Sequence, residues 1–139
     1  MIGEPEISTI ASAQLVVEDR DLASTISRES QDVFPPVFAT ARMVALMETA
    51  AARVLREFLE PGELSVGVSV DVSHTAATPL GITVTANARY VGQENKLFVF
   101  EVWAEDSGGE VGRGTHKRAV VNVERLLAGA TRRNAKSLD

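Results

Sequence analysis

The spacing of hydrophobic and polar positions changes twice along this chain, and the changes predict its elements. Ala13 to Val17 form a short apolar run that reads as a first strand, and the polar stretch from Glu18 to Asp32 has no sustained periodicity. A structureless segment of that length is uncommon inside a domain and often covers a site. Val33 to Phe38 combine two prolines with two phenylalanines, a stiff apolar lead that suits either a lid hinge or an anchor. From Thr40 to Leu59, apolar residues including Met43, Met47, Ala50, Val54 and Phe58 recur at helical spacing, and Pro61-Gly62 ends the run. Between Ala41 and Ala52 only Arg42 and Glu48 are charged, which predicts a helix enclosed on most sides.

The period then falls to two. Val66, Val68, Val70, Val72 and His74 are expected on one strand face, with Gly67, Ser69, Asp71 and Ser73 on the other. Ile82 to Tyr90, Leu97 to Ala104 and Val111 to Val123 read as three further strands joined by polar turns. The charged tail from Ala128 is expected to fray. One long helix followed by consecutive hairpin-linked strands, with one strand before it, predicts an α+β domain. In it an antiparallel sheet of about five strands wraps a central helix. The open edges of such a sheet favour pairing with a second copy, so a homodimer is expected.

Length and composition agree with one domain over residues 1–139, with 18–38 as a loop or lid region: 45% of residues are hydrophobic and 24% charged. The net charge of −5 argues against a general nucleic-acid binder. Arg113, Lys117, Arg118, Arg132, Arg133 and Lys136 read as a solvated strand edge and tail, or as a hold for one phosphorylated small molecule. The absence of cysteine excludes disulfides, a thiolate zinc site and a cysteine nucleophile. Neither a signal peptide nor a membrane span is apparent, no metal or redox cofactor is implied, and the cytoplasm is the expected location.

Four residues stand out chemically. His74 closes a strand just before a loop, on the face expected to be apolar, where an imidazole is both desolvated and reachable. Position alone fits a structural histidine equally well. His116 alternates with charged neighbours and reads as a strand-surface residue. Glu48, a carboxylate in the closed half of the helix, needs a partner, a water path or a dimer interface. Thr40 sits where helices take their N-caps, and a hydroxyl there also faces the positive end of the helix dipole. Eight helical residues span about 12 Å, so Thr40 and Glu48 cannot meet on one straight helix.

Phe34 to Thr40, Met43 to Glu48, Leu59 to Glu63, Ser73 to Pro79 and Gly114 to Val120 together resemble the fluoroacetyl-CoA thioesterase family of hot-dog proteins. The match runs from about Phe34 to Val123 with gapless spacing between its threonine, glutamate and histidine. The resemblance implies a hot-dog dimer with the thioester near the subunit interface and a catalytic trio of Thr40, Glu48 and His74. It also implies a glycine lining the acyl site at Gly67 and a site arginine at Arg118. Phe34 matches one of two phenylalanines that close over the acyl pocket in that family, and the position of the other holds Gln31. The expected activity is hydrolysis of a short acyl-CoA, with coenzyme A as part of the substrate and not a cofactor. Three rivals are a non-catalytic binder of acyl-CoA or another small ligand, a hot-dog hydratase and a curved-sheet cyclase. The hydratase would carry Asp and His five residues apart near the start of the helix, a pair this chain lacks. The cyclase would need its helices first.

Overall fold

In the computed structural model, which describes residues 1–135, the strands are β1 (Ile10–Val16), β2 (Glu63–His74), β3 (Thr83–Glu94), β4 (Leu97–Asp106) and β5 (Gly109–Asn122). Helix α1 (Thr40–Leu55), extended by a 3-10 turn over Arg56–Phe58, lies between β1 and β2 in the chain. The strands form one antiparallel sheet in the order β1-β3-β4-β5-β2, curled around α1. The expected arrangement of sheet and helix is present.

Small side chains decide how closely the helix approaches. Ala13 on β1, Ala86 and Ala88 on β3 and Ala104 on β4 are buried opposite Met43, Leu46, Met47, Ala50, Ala51 and Val54 of α1. Tyr90, Phe98 and Phe100 fill the core beyond them. The opposite face is polar, with Arg89 paired to Glu101 and stacked on Trp103. α1 packs mainly over β1 and β3, so the inner face of the β5-β2 half is left partly open. Ala41, Ala45 and Thr49 are exposed along that side of the helix, which is therefore less enclosed than its sequence suggests.

β2 departs from simple alternation. Gly67 pairs with Arg118 and Ser69 with Lys117, so Val68 is an extra residue that forms a β-bulge. Ser65 and Gly67 point inward before it; Val70, Val72 and His74 point inward after it. The expected single face running from Val66 to His74 is thus broken, and Val68 is exposed.

The segment from residue 18 to 38 is less free than a loop. It holds two 3-10 turns, Asp19–Asp21 and Ala23–Thr25, and its ends are clipped together. Ala39 N–H donates to the Asp21 carbonyl and Ala23 N–H to that of Val37, each at 2.8 Å, and Leu22 bridges Phe38. Buried Phe38 is the anchor of the apolar lead.

The C-terminal expectation needs correction. Residues from Ala128 to Arg133 belong to a helix, α2 (Val123–Arg133), started by an Asn122 side chain that accepts from Arg125 N–H. Val123, Leu126, Leu127 and Ala130 supply its apolar spacing, although Leu126 and Leu127 remain exposed. Residues 136–139 of the expected frayed tail lie outside the described residues.

Gly114 sets the β2-β5 contact: a Cβ there would collide with the Asp71 carbonyl and lie 2.6 Å from Val72 Cα, both backbone atoms. Gly114→Ala is expected to destabilise the fold by at least the ~1–3 kcal/mol typical of overpacking, measured as a fall in urea midpoint at unchanged slope.

Candidate active site

The predicted residues gather into two clusters, one at each end of the open side of α1. The first is built on the start of the helix. Ala39, not Thr40, is the N-cap, and Thr40 is the first helical residue. The Thr40 hydroxyl lies 2.8 Å from His74 Nδ1 at the end of β2, so the capping role favoured by position alone gives way to a contact between side chains. The amides of Thr40 and Ala41, first in the helix, have no intrahelical acceptor.

His74 packs edge-on to Phe38, and its Nε2 is buried without a hydrogen-bond partner. Burial pushes the His74 pKa below the ordinary imidazole value, with the Ala76 backbone opposing, so the ring is neutral near pH 7. Around the pair lies an open cavity of about 320 Å³ lined by Ala23, Pro35, Val37, Ala76 and Ala77. One wall is held by buried Thr78, whose carbonyl accepts from Phe38 N–H while its hydroxyl donates to Asp106.

The second cluster centres on Glu48, two turns further along α1. Its Oε2 accepts from Arg118 Nη1 at 3.0 Å, and Arg118 also donates from Nε to the Ser65 hydroxyl and from Nη2 to the Ser65 carbonyl. Arg118 is buried, which corrects its reading as part of a solvated strand edge; the carboxylate beside it makes that burial tolerable. His116 is also buried and not on the strand surface. Its Nδ1 lies 2.9 Å from the Ser69 carbonyl and its Nε2 3.0 Å from Arg118 Nη1.

Desolvation, then the Arg118 charge, lower the His116 pKa; the Ser69 carbonyl and Glu48 act the other way. A Cβ on Gly67 would lie 2.5 Å from Glu48 Oε2, so the glycine leaves the space that the carboxylate occupies. Phe34 joins neither cluster: it is half exposed and lines neither the Thr40-His74 cavity nor the groove beside Glu48. His116 is the residue that sequence reasoning missed. Its signal was the two-residue spacing to Arg118, which puts both side chains on one strand face.

Among the described residues, no group of three His, Cys, Asp or Glu is placed to hold a metal, and no helix is long and apolar enough to cross a membrane.

The curled five-stranded sheet and the long helix it wraps are those of a hot-dog-fold thioesterase. A solved structure of a fluoroacetyl-CoA thioesterase superposes with a TM-score of 0.86 at 39% identity, covering 91% of this chain and 96% of that one. A thioesterase superfamily member from Thermus thermophilus gives a TM-score of 0.84 at 26% identity, over 94% of each chain. The fluoroacetyl-CoA thioesterase of Streptantibioticus cattleyicolor is 48% identical over 95 residues, or 68% of each chain. The chain belongs to the fluoroacetyl-CoA-specific thioesterase family, whose model matches residues 17–124, and it is an acyl-CoA thioesterase.

Both histidines have native pKa values below those of the unfolded chain, so acid favours unfolding. Their contribution to stability is complete above about pH 6.5 and is lost as pH falls from there toward the lowered native values. Thermal denaturation should show a flat melting temperature between about pH 7 and 7.5 and a decline beginning near pH 6.5, above the range where carboxylates titrate. Replacing either histidine by Gln should shallow that decline.

Proposed function

We propose that the protein hydrolyses a short acyl-CoA to the free acid and CoA, using Thr40, Glu48 and His74. The observation that carries this reading is the Thr40-His74 pair: a hydroxyl 2.8 Å from a neutral, desolvated imidazole, beside the free amides of a helix N-terminus. Small apolar walls at Ala23, Ala76 and Ala77 suit a short acyl group. Relatives support the substrate class. One solved structure of a mutant of the fluoroacetyl-CoA-specific thioesterase holds fluoroacetate and CoA, and another mutant holds acetyl-CoA.

His74 takes a proton from a water whose oxygen attacks the thioester carbonyl, and returns it to the CoA thiolate as the C–S bond breaks and the free acid forms. The Thr40 and Ala41 amides hold the oxyanion. Glu48, fixed by Arg118, orients that water for its attack. Gln31 and Phe34 are both exposed, Phe38 lines the pocket, and Phe34 would be the side chain that closes over it.

Thr40 and Glu48 of one chain lie too far apart to act on one carbonyl. We infer a homodimer in which β2 pairs with its copy across a two-fold axis. That pairing is antiparallel, so the His74 end of one β2 meets the Gly67 end of the other, and Glu48 of the second copy approaches Thr40 and His74 of the first. The reading is supported by exposed Val68 and Val70 along an unpaired edge and by the exposed small residues of α1. Gly67 and Arg118 would then line the shared site.

Initial rates with acetyl-, fluoroacetyl-, butyryl- and phenylacetyl-CoA, read as released thiol, should show saturable hydrolysis of the shorter thioesters. His74→Ala and Glu48→Ala should each lower kcat by at least about 10²-fold, the lower end for removal of a general base. A bound thioester that persists intact in mass spectra would replace hydrolysis with ligand binding.

Val68→Asp on the open edge should convert the dimer to a monomer in sedimentation velocity and abolish turnover. A monomeric wild-type enzyme with full activity would remove the shared site.

A further inference from the structure

We propose that His116 is a positioning residue that acts through Arg118 to aim the Glu48 carboxylate; the inference rests on Glu48 acting in the reaction. Both ring nitrogens of His116 have partners of fixed character. Nδ1 faces the Ser69 carbonyl, which only accepts, so Nδ1 carries the proton. Nε2 faces Arg118 Nη1, which only donates, so Nε2 presents its lone pair. The ring is therefore held as a single neutral tautomer.

That tautomer governs the guanidinium. Arg118 Nη1 has two hydrogens and two partners, Glu48 Oε2 and His116 Nε2, each 3.0 Å away. With Nε and Nη2 tied to Ser65, the planar fork has one orientation in which all of these bonds are made together. The hydrogen directed at Glu48 thus has its direction set by the one accepted by His116. Gly67 leaves room for both groups, since a Cβ there would lie 2.5 Å from Glu48 Oε2 and 3.2 Å from His116 Cε1.

The groups packed around the imidazole leave little alternative. α1 contributes Glu48, β5 contributes Arg118, β4 the Phe100 ring at 6.5 Å between centroids, and β2 the Ser69 carbonyl. Ser69 follows the extra residue of the β2 bulge, so the irregularity of the edge strand supplies the acceptor that fixes the tautomer. His116 is 1% exposed and does not itself reach a substrate.

The test uses the full-length enzyme. Long-range ¹H–¹⁵N imidazole spectra at neutral pH, simplified by the presence of only two histidines and assigned with His74→Asn, should show His116 protonated at Nδ1 alone. His116→Met, which keeps bulk without an acceptor, should lower kcat roughly 10- to 100-fold, the scale of a misplaced reacting group, while KM changes by less than about threefold. His116→Gln, which restores an acceptor at similar reach, should recover most of the loss. In a Glu48→Gln background, His116→Met should cause no further fall.

An Nε2-protonated His116, a His116→Met enzyme with wild-type kcat, or the same proportional loss in both backgrounds would overturn the proposal. If His116→Met does not fold, the imidazole spectrum and the Gln variant still decide. An active Glu48→Gln enzyme would overturn the role of Glu48 and this inference with it. An inactive Glu48→Gln enzyme beside a normal His116→Met enzyme would overturn the positioning role alone.

Discussion

One extra residue in an edge strand governs the geometry of this protein. Gly67 and His74 are seven positions apart, and in a regular strand an odd separation puts them on opposite faces. The bulge at Val68 moves the register by one, so both face inward. Gly67 then makes room for Glu48, while His74 meets Thr40 at the start of the helix. Without the bulge, one of the two clusters would turn to the outer face. The same irregularity exposes Val68 and directs the Ser69 carbonyl at His116.

A second constraint is the off-centre seat of the helix. Small residues draw α1 over β1 and β3, and the aromatic core fills beneath it. The price is an inner sheet face that one chain cannot cover. That open side is where the polar groups collect: Thr40 is exposed, Glu48 and His74 are half-buried and Arg118 is buried, along a surface that lacks a cover. Burial lowers the basicity of His74 and His116, and each keeps a hydrogen-bonded nitrogen. In an acyl-CoA thioesterase such partial shielding reconciles a desolvated base with an entrance for a large substrate.

Much of the fold was legible in the sequence, for reasons that also explain the exceptions. The helix announced itself because its apolar residues keep helical spacing up to a Pro-Gly stop, and β3 because its buried residues alternate without interruption. The bulge was invisible: Val66, Val68, Val70 and Val72 alternate in sequence whether or not the register shifts. His116 was misread because charged neighbours dominate its surroundings along the chain, whereas in space Arg118 turns inward with it to meet Glu48. The closing helix was missed although Asn122 and the spacing from Val123 to Ala130 carry a cap and a period; its charged remainder obscured them. The family motif named Thr40, Glu48 and His74, and chain geometry explains why they form two groups and not one.

The segment between β1 and α1 is pinned at both ends and free at its tip. Asp21 is buried, accepts from Glu18 N–H through its carboxylate and from Ala39 N–H through its carbonyl, so the root of the segment is welded to the residue before Thr40. Gln31, Val33 and Phe34 lie beyond that weld, in solvent. Sequence changes at the tip can therefore accumulate while the position of Thr40 stays insulated from them. A substitution at the tip and one at the root thus differ in reach: the first stays local, whereas the second is transmitted through the backbone to the start of the helix.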